Sequence, residues 1–188
     1  MGSTHPDTAT SLNNLAGLYE SQGRYSEAEP LYRRSLEIME SQLGADHPST
    51  ATNLNNLANL YLSKGSYEKA EPLLKRSLQI REQQLGKDHP DTAVSLNNLA
   101  VLYFNQNRLG EAEQLIAQSL SIRLKVLGEN HPTTQSSIQN LSNLVKVALE
   151  QDRTAELSDH LLTRRILLQL RKQNPGSSSV DIANENPH

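Results

Sequence analysis

The sequence predicts an all-α solenoid of four repeats, each an antiparallel pair of helices, with about eight helices in total. A segment Leu-Asn-Asn-Leu-Ala begins at Leu12, Leu54 and Leu96, so it recurs every 42 residues, and a degraded copy begins at Ile138. Such a period is typical of repeat proteins, in which each repeat buries its apolar surface against its neighbours. Hydrophobic residues make up 36% of the chain and aromatic residues only 4%, which suits stacked helix pairs better than one central core.

The composition excludes several classes of protein. The chain contains no cysteine, so disulfides and thiolate metal sites are ruled out. Its formal charge of −3 argues against a nucleic-acid partner, which usually requires a basic face. No apolar run approaches the roughly 18 residues that span a bilayer, and Met1-Gly2-Ser3 does not begin a signal peptide. We therefore expect a cytoplasmic protein with no membrane partner.

The first helix of each repeat, helix A, is predicted to begin at a His-Pro pair. These pairs begin at His5, His47, His89 and His131. Proline suits the first turn of a helix because the N–H that it lacks would have no partner there, and it holds the preceding residue extended. Apolar residues then recur at helical spacing and form a stripe, which in the first repeat consists of Leu12, Leu15, Ala16 and Tyr19.

The second helix, helix B, is predicted to follow a tight turn. Gly23, Gly65 and Asn107 stand at the turn in the first three repeats, and these residue types tolerate a positive φ. The spacing of Ser26 and Glu29 predicts a capping box that opens helix B. A Leu-Gly pair ends helix B in each of these repeats, and the next His-Pro pair follows within a few residues.

The fourth repeat departs from the pattern. Val145 stands where the other repeats have tyrosine, and the turn at 151–153 has no glycine. Its helix B, predicted at 154–172, is apolar on more than one side and includes Leu167 and Leu170. Terminal repeats are commonly atypical because they cap the stack. The apolar outer side could instead be a docking face, and the sequence leaves both interpretations open.

These signals divide the chain into an array with short flanks. The repeats are predicted at 5–46, 47–88, 89–130 and 131–173, with a lead-in at 1–4 and a disordered tail at 174–188. Gly2-Ser3 resembles a cloning remnant, and we expect the chain to be a piece of a longer protein. The near-identity of three repeats also fits a consensus-derived array, although the irregular fourth repeat favours a natural sequence.

The first repeat resembles the tetratricopeptide repeat at its signature positions, which are Leu12, Leu15, Ala16, Tyr19, Gly23, Tyr25, Ala28, Tyr32 and Ser35. The period, the Leu-Asn-Asn-Leu-Ala segment and Glu-Ala-Glu-Pro-Leu are similar to the kinesin-light-chain variety of this repeat, which also occurs widely in bacterial proteins. The resemblance implies a right-handed superhelix with helix A of each repeat on its concave face. It also implies that peptides or protein segments bind in that concave groove, without catalysis.

On the family's pattern, the groove carries amide side chains and a few apolar ones. The predicted groove residues are Asn13, Asn14, Asn55, Asn56, Asn59, Leu62, Asn97, Asn98, Val101, Phe104, Asn105, Gln139, Asn140 and Asn143. Helix A of the first three repeats contains no lysine or arginine, so the groove is expected to be nearly neutral. Among these residues, Leu62, Val101 and Phe104 are expected to form one apolar pocket.

The two asparagines of each repeat have different expected roles. The first of each pair, as in Asn55, is expected to face a ligand. For the second, as in Asn56, a groove role and a hydrogen bond to the backbone of the neighbouring repeat remain open. Tetratricopeptide domains that hold a C-terminal carboxylate use lysine and arginine on helix A. The matching positions here are Asn13, Asn55, Thr52 and Val94, so a carboxylate clamp is not expected.

No grouping of residues predicts catalysis, a metal or a cofactor. The four histidines of the His-Pro pairs are expected to cap helices, because successive copies lie about 10 Å apart and metal ligands lie at about 2 Å. The leading hypothesis is therefore a protein-binding module within a larger protein. The alternative is a structural spacer or self-assembly scaffold that associates through its terminal repeats.

Overall fold

The computed structural model describes residues 5–173, which form eight α-helices and one short 3-10 turn. The helices are α1 (Pro6–Ser21), α2 (Tyr25–Leu43), α3 (Pro48–Ser63), α4 (Tyr67–Gln84), α5 (Pro90–Asn105), α6 (Leu109–Leu127), α7 (Pro132–Glu150) and α8 (Leu161–Gln173), and the 3-10 turn is Thr154–Glu156. The predicted all-α class is confirmed. The predicted lead-in and tail lie outside the described residues. Within 5–173, no helix is long and apolar enough to cross a membrane.

Each helix A starts with the same local cap. The imidazole Nδ1 of the histidine accepts a hydrogen bond from the backbone N–H two residues later, at 3.2 Å for His5, 3.1 Å for His47, 3.1 Å for His89 and 3.2 Å for His131. This bond satisfies one of the N–H groups that a helix start leaves without a partner. The predicted capping role is confirmed.

The turn between helices A and B uses a left-handed residue in every repeat. Its φ is +72° at Gly23, +68° at Gly65, +60° at Asn107 and +54° at Asp152. The predicted turn is thus present, and Asp152 takes the glycine position in the fourth repeat. The predicted capping box is wrong, because α2 begins at Tyr25 and places Ser26 inside the first helical turn.

The stack curves with helix A of each repeat on its inner side. In the first three repeats, helix B packs between helix A of its own repeat and helix A of the next, and α8 packs against α7. In addition, α1 contacts α3 and α3 contacts α5, whereas α2, α4 and α6 have at most marginal contacts with one another. Since helices meet more closely on the inside of a curve, α1, α3, α5 and α7 line the side that we call the concave face.

Buried hydroxyls hold the two helices of a repeat at close range. The side chains of Ser35, Ser77 and Ser119 are fully buried on helix B. They donate to the carbonyls of Ala9, Ala51 and Ala93 on helix A, at 2.6, 2.8 and 2.7 Å respectively. A serine here both allows close approach and satisfies its own buried hydroxyl.

Two positions at the contact between repeats change together. We number the contacts between successive repeats from the first, so the first contact joins α2 to α3. At this contact Met39 on α2 occurs together with Asn53 on α3, and the Asn53 amide bonds to the Ser35 hydroxyl. At the second contact, the matching residues are Arg81 and Ser95, and Arg81 donates to the Ser95 hydroxyl at 3.0 Å. Arg81 is 5% exposed, and burial lowers the pKa of its guanidinium. Each pair therefore fills the same space with different polar chemistry.

A carboxylate on helix B binds the tyrosine of the next helix A. Glu29 accepts from the Tyr61 hydroxyl at 3.0 Å, from Arg33 at 2.8 Å and from Lys64 at 2.6 Å. Hydrogen bonds from Lys64, Arg33 and Tyr61 lower the pKa of Glu29 to about 2. Glu71 binds Tyr103 in the same way at 3.4 Å, so this contact repeats along the stack.

The fourth repeat satisfies the equivalent carboxylate differently. Val145 replaces the tyrosine, and the fully buried Glu113 instead accepts the Ser158 N–H at 3.1 Å, the Ser158 hydroxyl at 2.9 Å and the Thr163 hydroxyl. The continuous helix predicted at 154–172 is wrong, because the chain leaves the helical path after the 3-10 turn and α8 begins at Leu161. This break is what brings Ser158 to Glu113.

The two sides of α8 have different surroundings, because one side packs against the core and the other faces solvent. Leu162, Ile166, Leu167 and Leu170 pack against the main core. Leu167 and Leu170 therefore do not belong to the outer apolar side that one interpretation made a docking face. On α8 the exposed large apolar residues are Leu161 and Leu168, which lie among Arg164, Arg165 and Lys172. The inner side of α8 thus covers the end of the core.

The paired positions between repeats predict a non-additive effect on stability. Arg81→Met and Ser95→Asn should each lower the free energy of unfolding by about 1–3 kcal/mol, through lost hydrogen bonds and overpacking. The double variant recreates the residue pair of the first contact. Its loss of unfolding free energy should therefore be smaller than the sum of the two single losses by about 1 kcal/mol or more. Urea unfolding measures this. As a control, the losses of unfolding free energy for Ser95→Asn and Arg123→Met should add. If the losses for Arg81→Met and Ser95→Asn also add, the prediction is contradicted.

Glu113 is predicted to hold α8 in place. Glu113→Ala leaves the hydroxyls of Ser158 and Thr163 without their acceptor, so we expect a loss of about 2 kcal/mol in the stability of this segment. Hydrogen exchange of the α8 amides should accelerate about thirtyfold, since every 1.4 kcal/mol is a factor of ten. Glu71→Ala, the same change one repeat earlier, is the control and should leave α8 protected. Equal protection of α8 in the two variants would refute the assignment.

Candidate functional site

The concave face is nearly free of charge. Its helices α1, α3 and α5 contain no lysine or arginine, and α7 contributes Lys146. The carboxylate of Glu20 on α1 accepts the Tyr32 hydroxyl at 2.8 Å and the Ser63 hydroxyl at 3.4 Å. Burial and the bond to Glu20 raise the pKa of the Tyr32 phenol. The remaining polar groups of this face are mainly amides and hydroxyls.

A row of hydrogen bonds between asparagines crosses this face. In the second, third and fourth repeats, the second asparagine donates its Nδ2 to the Oδ1 of the first asparagine in the preceding repeat. The bonds run from Asn56 to Asn13 at 3.1 Å, from Asn98 to Asn55 at 3.1 Å and from Asn140 to Asn97 at 3.5 Å. We call these six residues the asparagine ladder. The second asparagine therefore bonds to a side chain, and not to the backbone as one alternative had it.

The ladder leaves amide groups open to solvent. Within 5–173, Nδ2 of the first asparagines and Oδ1 of the second ones have no protein partner. In the same range, the buried side-chain atom that lacks a partner is Thr134 Oγ1, so the open ladder atoms are not buried. This holds even for Asn55, which is 5% exposed overall. Each of the six ladder asparagines thus combines a structural bond with an open amide atom.

The other predicted amides lie in different settings. Asn14 is exposed, because α1 has no preceding helix among the described residues. Asn59 is half-buried on α3, and Asn105 is exposed at the end of α5. On α7, the exposed Asn143 accepts a hydrogen bond from Gln139 at 2.8 Å. Asn143 lies at the edge of the ladder, and Asn105 lies at the end of the face.

The predicted apolar pocket exists with a different lining. Val101 and Phe104 line a cavity of about 220 Å³ between α5 and α7. The rest of the lining is Ala100, Ile116, Asn140 and Asn143. Leu62 does not line it, because this side chain lies one repeat earlier and packs against the core. The prediction was therefore correct for two of the three residues.

Sequence reasoning missed the residues of helix B that reach beneath the face. Tyr32, Leu74 and Ile116 occupy one position in successive repeats, and each is buried. The Tyr32 hydroxyl lies 3.4 Å from the place of a Cβ on Gly17, so it reaches the groove from below. The change from tyrosine to aliphatic residues at one repeated position was the signal that could have revealed this.

The described residues suggest no metal site. In 5–173, no three residues of the His, Cys, Asp and Glu types are grouped so that they could hold a metal ion. The histidines of the His-Pro pairs use Nδ1 as helix caps. The groups that the concave face offers to a ligand are therefore amides, hydroxyls and apolar side chains.

Solved structures with the same fold include kinesin-light-chain-like proteins. BtubC (BKLC) from P. vanneervenii is 23% identical, with a TM-score of 0.71 over 98% of this chain and 71% of that one. A putative kinesin light chain with nearly identical TPR-like repeats from Podosopora anserina is 24% identical, with a TM-score of 0.69 over 92% and 91% of the chains. The Sgt2 TPR domain from Aspergillus fumigatus is 14% identical, with a TM-score of 0.50 over 96% and 91%.

A comparison with curated proteins finds no match to this chain. The tetratricopeptide repeat model matches residues 7–83 and again residues 49–125. The two matches are offset by one 42-residue period and together cover more than half of the chain. With this match, the repeated helix pairs and the shared fold, the chain belongs to the tetratricopeptide repeat family.

Proposed function

We propose that the protein binds an extended segment of a partner protein along its concave face. Repeats of this family generally mediate protein–protein interaction and are typically non-catalytic. The observation that carries the more specific proposal is the asparagine ladder, whose open amide atoms line the inner side of the curve. An extended segment presents N–H and C=O groups at regular intervals, and the ladder offers acceptors and donors to both.

The chemistry of the face favours main-chain recognition. An asparagine amide has two N–H donors and one acceptor oxygen, and each ladder bond uses only part of this capacity. Since α1, α3 and α5 carry no lysine or arginine, an acidic segment or a C-terminal carboxylate gains little on most of the face. Main-chain bonds with a few anchoring side chains commonly give micromolar affinity, about −8 kcal/mol. We place this module in a larger multidomain protein.

A second candidate function is assembly through the first repeat. Leu15 is 40% exposed and Leu18 is 53% exposed on α1. Their counterparts on α3 are buried against α2, with Leu57 4% and Leu60 0% exposed. This surface could pack against another helix pair and make the array a spacer or scaffold. Sedimentation velocity over a wide concentration range separates the two functions, because only assembly predicts growth that Leu18→Glu abolishes.

The binding proposal predicts which substitutions weaken a bound peptide. Random 12-residue peptides displayed on phage are selected against the whole chain, and the best are measured by fluorescence anisotropy. Asn13→Ala and Asn97→Ala each remove ladder amides, so affinity should fall about tenfold, as for one or two lost hydrogen bonds. Melting temperature should change little, since the ladder bonds are partly solvated.

The matched control lies on the opposite side of the stack. Gln79 is an exposed amide on α4, and Gln79→Ala should leave the affinity unchanged. The proposal is overturned if selection yields no binder, or if the peptides bind the ladder variants as tightly as the original chain.

A further inference from the structure

The third contact between repeats is more open on the concave side than the first two. The ladder bond from Asn140 to Asn97 is 3.5 Å, whereas the two earlier ladder bonds are 3.1 Å each. In agreement, α5 and α7 pack less closely than α1 with α3 or α3 with α5. The cavity of about 220 Å³ lies at this contact.

The residues beneath the face differ between the first and the third contact. At the first contact, Tyr32 extends its ring and hydroxyl under the groove and bonds to Glu20. The third repeat has Ile116 at the matching position, and this aliphatic side chain ends below the cavity as part of its lining. Phe104, the counterpart of Glu20, gives the cavity an apolar wall in place of a carboxylate. The same position in the repeat therefore changes from filled to open.

The lining of the cavity defines the chemistry of an occupant. Ala100, Val101, Phe104 and Ile116 supply apolar surface, and Asn140 and Asn143 supply amides. Among residues 5–173, no charged side chain lines the cavity. An apolar cavity of about 150 Å³ holds a benzene ring, so this larger one has room for a leucine, methionine or phenylalanine side chain.

We propose that this cavity between α5 and α7 is the anchor site for one apolar side chain of the bound segment. The side chain enters between Val101 and Phe104 towards Ile116, while the amides of Asn140 and Asn143 contact the main chain on either side of it. The anchor refines the proposed function, on which it rests. It gives a neutral groove its selectivity, since amides alone bind any extended segment.

The uncharged lining and the lysine that follows it on α7 disfavour a cationic occupant. Lys146 follows Asn143 by three residues on α7, which places both on the same side of that helix. Its ammonium lies 3.9 Å from Glu150, at the far limit of an ion pair, and both side chains are more than 60% exposed. A lysine or arginine of the segment would meet this positive charge and lose its own hydration in an uncharged cavity. An uncharged hydrocarbon side chain avoids both costs.

The anchor site is tested first with blocked amino acids, which need no known partner. The methyl groups of the whole chain are isotope-labelled, and N-acetyl-leucinamide is titrated while NMR spectra are recorded. We expect saturable shifts of the Val101 and Ile116 methyls, with N-acetyl-serinamide and N-acetyl-lysinamide producing at least tenfold weaker responses. Equal responses to all three compounds, or saturable shifts only at Leu161 and Leu168, would overturn the proposal.

Two pairs of variants separate the cavity from the rest of the groove. Ile116→Tyr fills the cavity as Tyr32 fills the first contact, and Leu74→Tyr makes the matching change one repeat earlier. Val101→Glu changes the rim without altering the core, and Asn59→Glu is its counterpart, so a folded variant is available if Ile116→Tyr unfolds. Ile116→Tyr and Val101→Glu should each abolish the response to N-acetyl-leucinamide. Leu74→Tyr and Asn59→Glu should retain the response. The site would be refuted if these two variants lost the response while Ile116→Tyr and Val101→Glu kept it.

Selected peptides distinguish failure of the anchor from failure of the groove. Replacing the apolar residue of a selected peptide by serine should weaken binding by about tenfold or more, as expected for one buried aliphatic side chain. If peptides depend on Asn97 but ignore Ile116→Tyr and Val101→Glu, the groove is correct and the anchor is wrong. If N-acetyl-leucinamide occupies the cavity but no peptide depends on the ladder, the anchor is correct and main-chain recognition is wrong.

Discussion

The contact between helix B of one repeat and helix A of the next is the constraint on which the structure depends. A single helix pair cannot cover its own apolar stripe, so stability requires a neighbour at each contact. Polar groups that the contact buries also need hydrogen-bond partners. Glu29 with Tyr61 meets this demand at the first contact and Glu71 with Tyr103 at the second, while the asparagine ladder joins successive A helices. The ladder faces a potential ligand because the stack curves towards helix A.

Because each contact repeats, a change of residue at one repeated position is accompanied by a compensating change at the position that it contacts. Arg81 appears with Ser95, whereas Met39 appears with Asn53. Where Val145 replaces the tyrosine, Glu113 obtains its donors from Ser158 and Thr163. Gly110 belongs to the same adjustment, because a Cβ there would lie 2.5 Å from the Glu156 carbonyl oxygen. The third repeat is therefore shaped to receive the atypical last helix, which supports a capping role for α8.

Periodicity made the helices, turns and apolar stripe predictable, since each depends on residues close in the chain. The ladder partners were not predictable in the same way. Asn56 bonds to Asn13, 43 residues earlier, and this pairing depends on the offset between stacked helices. The break before α8 escaped prediction for a similar reason. An apolar pattern such as that around Leu167 fits a continuous helix equally well, and the decisive acceptor, Glu113, lies about one repeat away in the sequence.

A regular sequence therefore produces a concave face whose ends differ in chemistry. At the first contact, Tyr32 and Glu20 close the space beneath the groove and add a negative charge. At the third contact, Ile116 leaves the space open and Lys146 adds a positive charge nearby. The same kind of ladder bond recurs at both ends, so in the proposed function the ladder supplies affinity for a main chain and little selectivity. In the proposed function, selectivity must come from the positions that differ, and the cavity at the third contact is the position that we propose for this role.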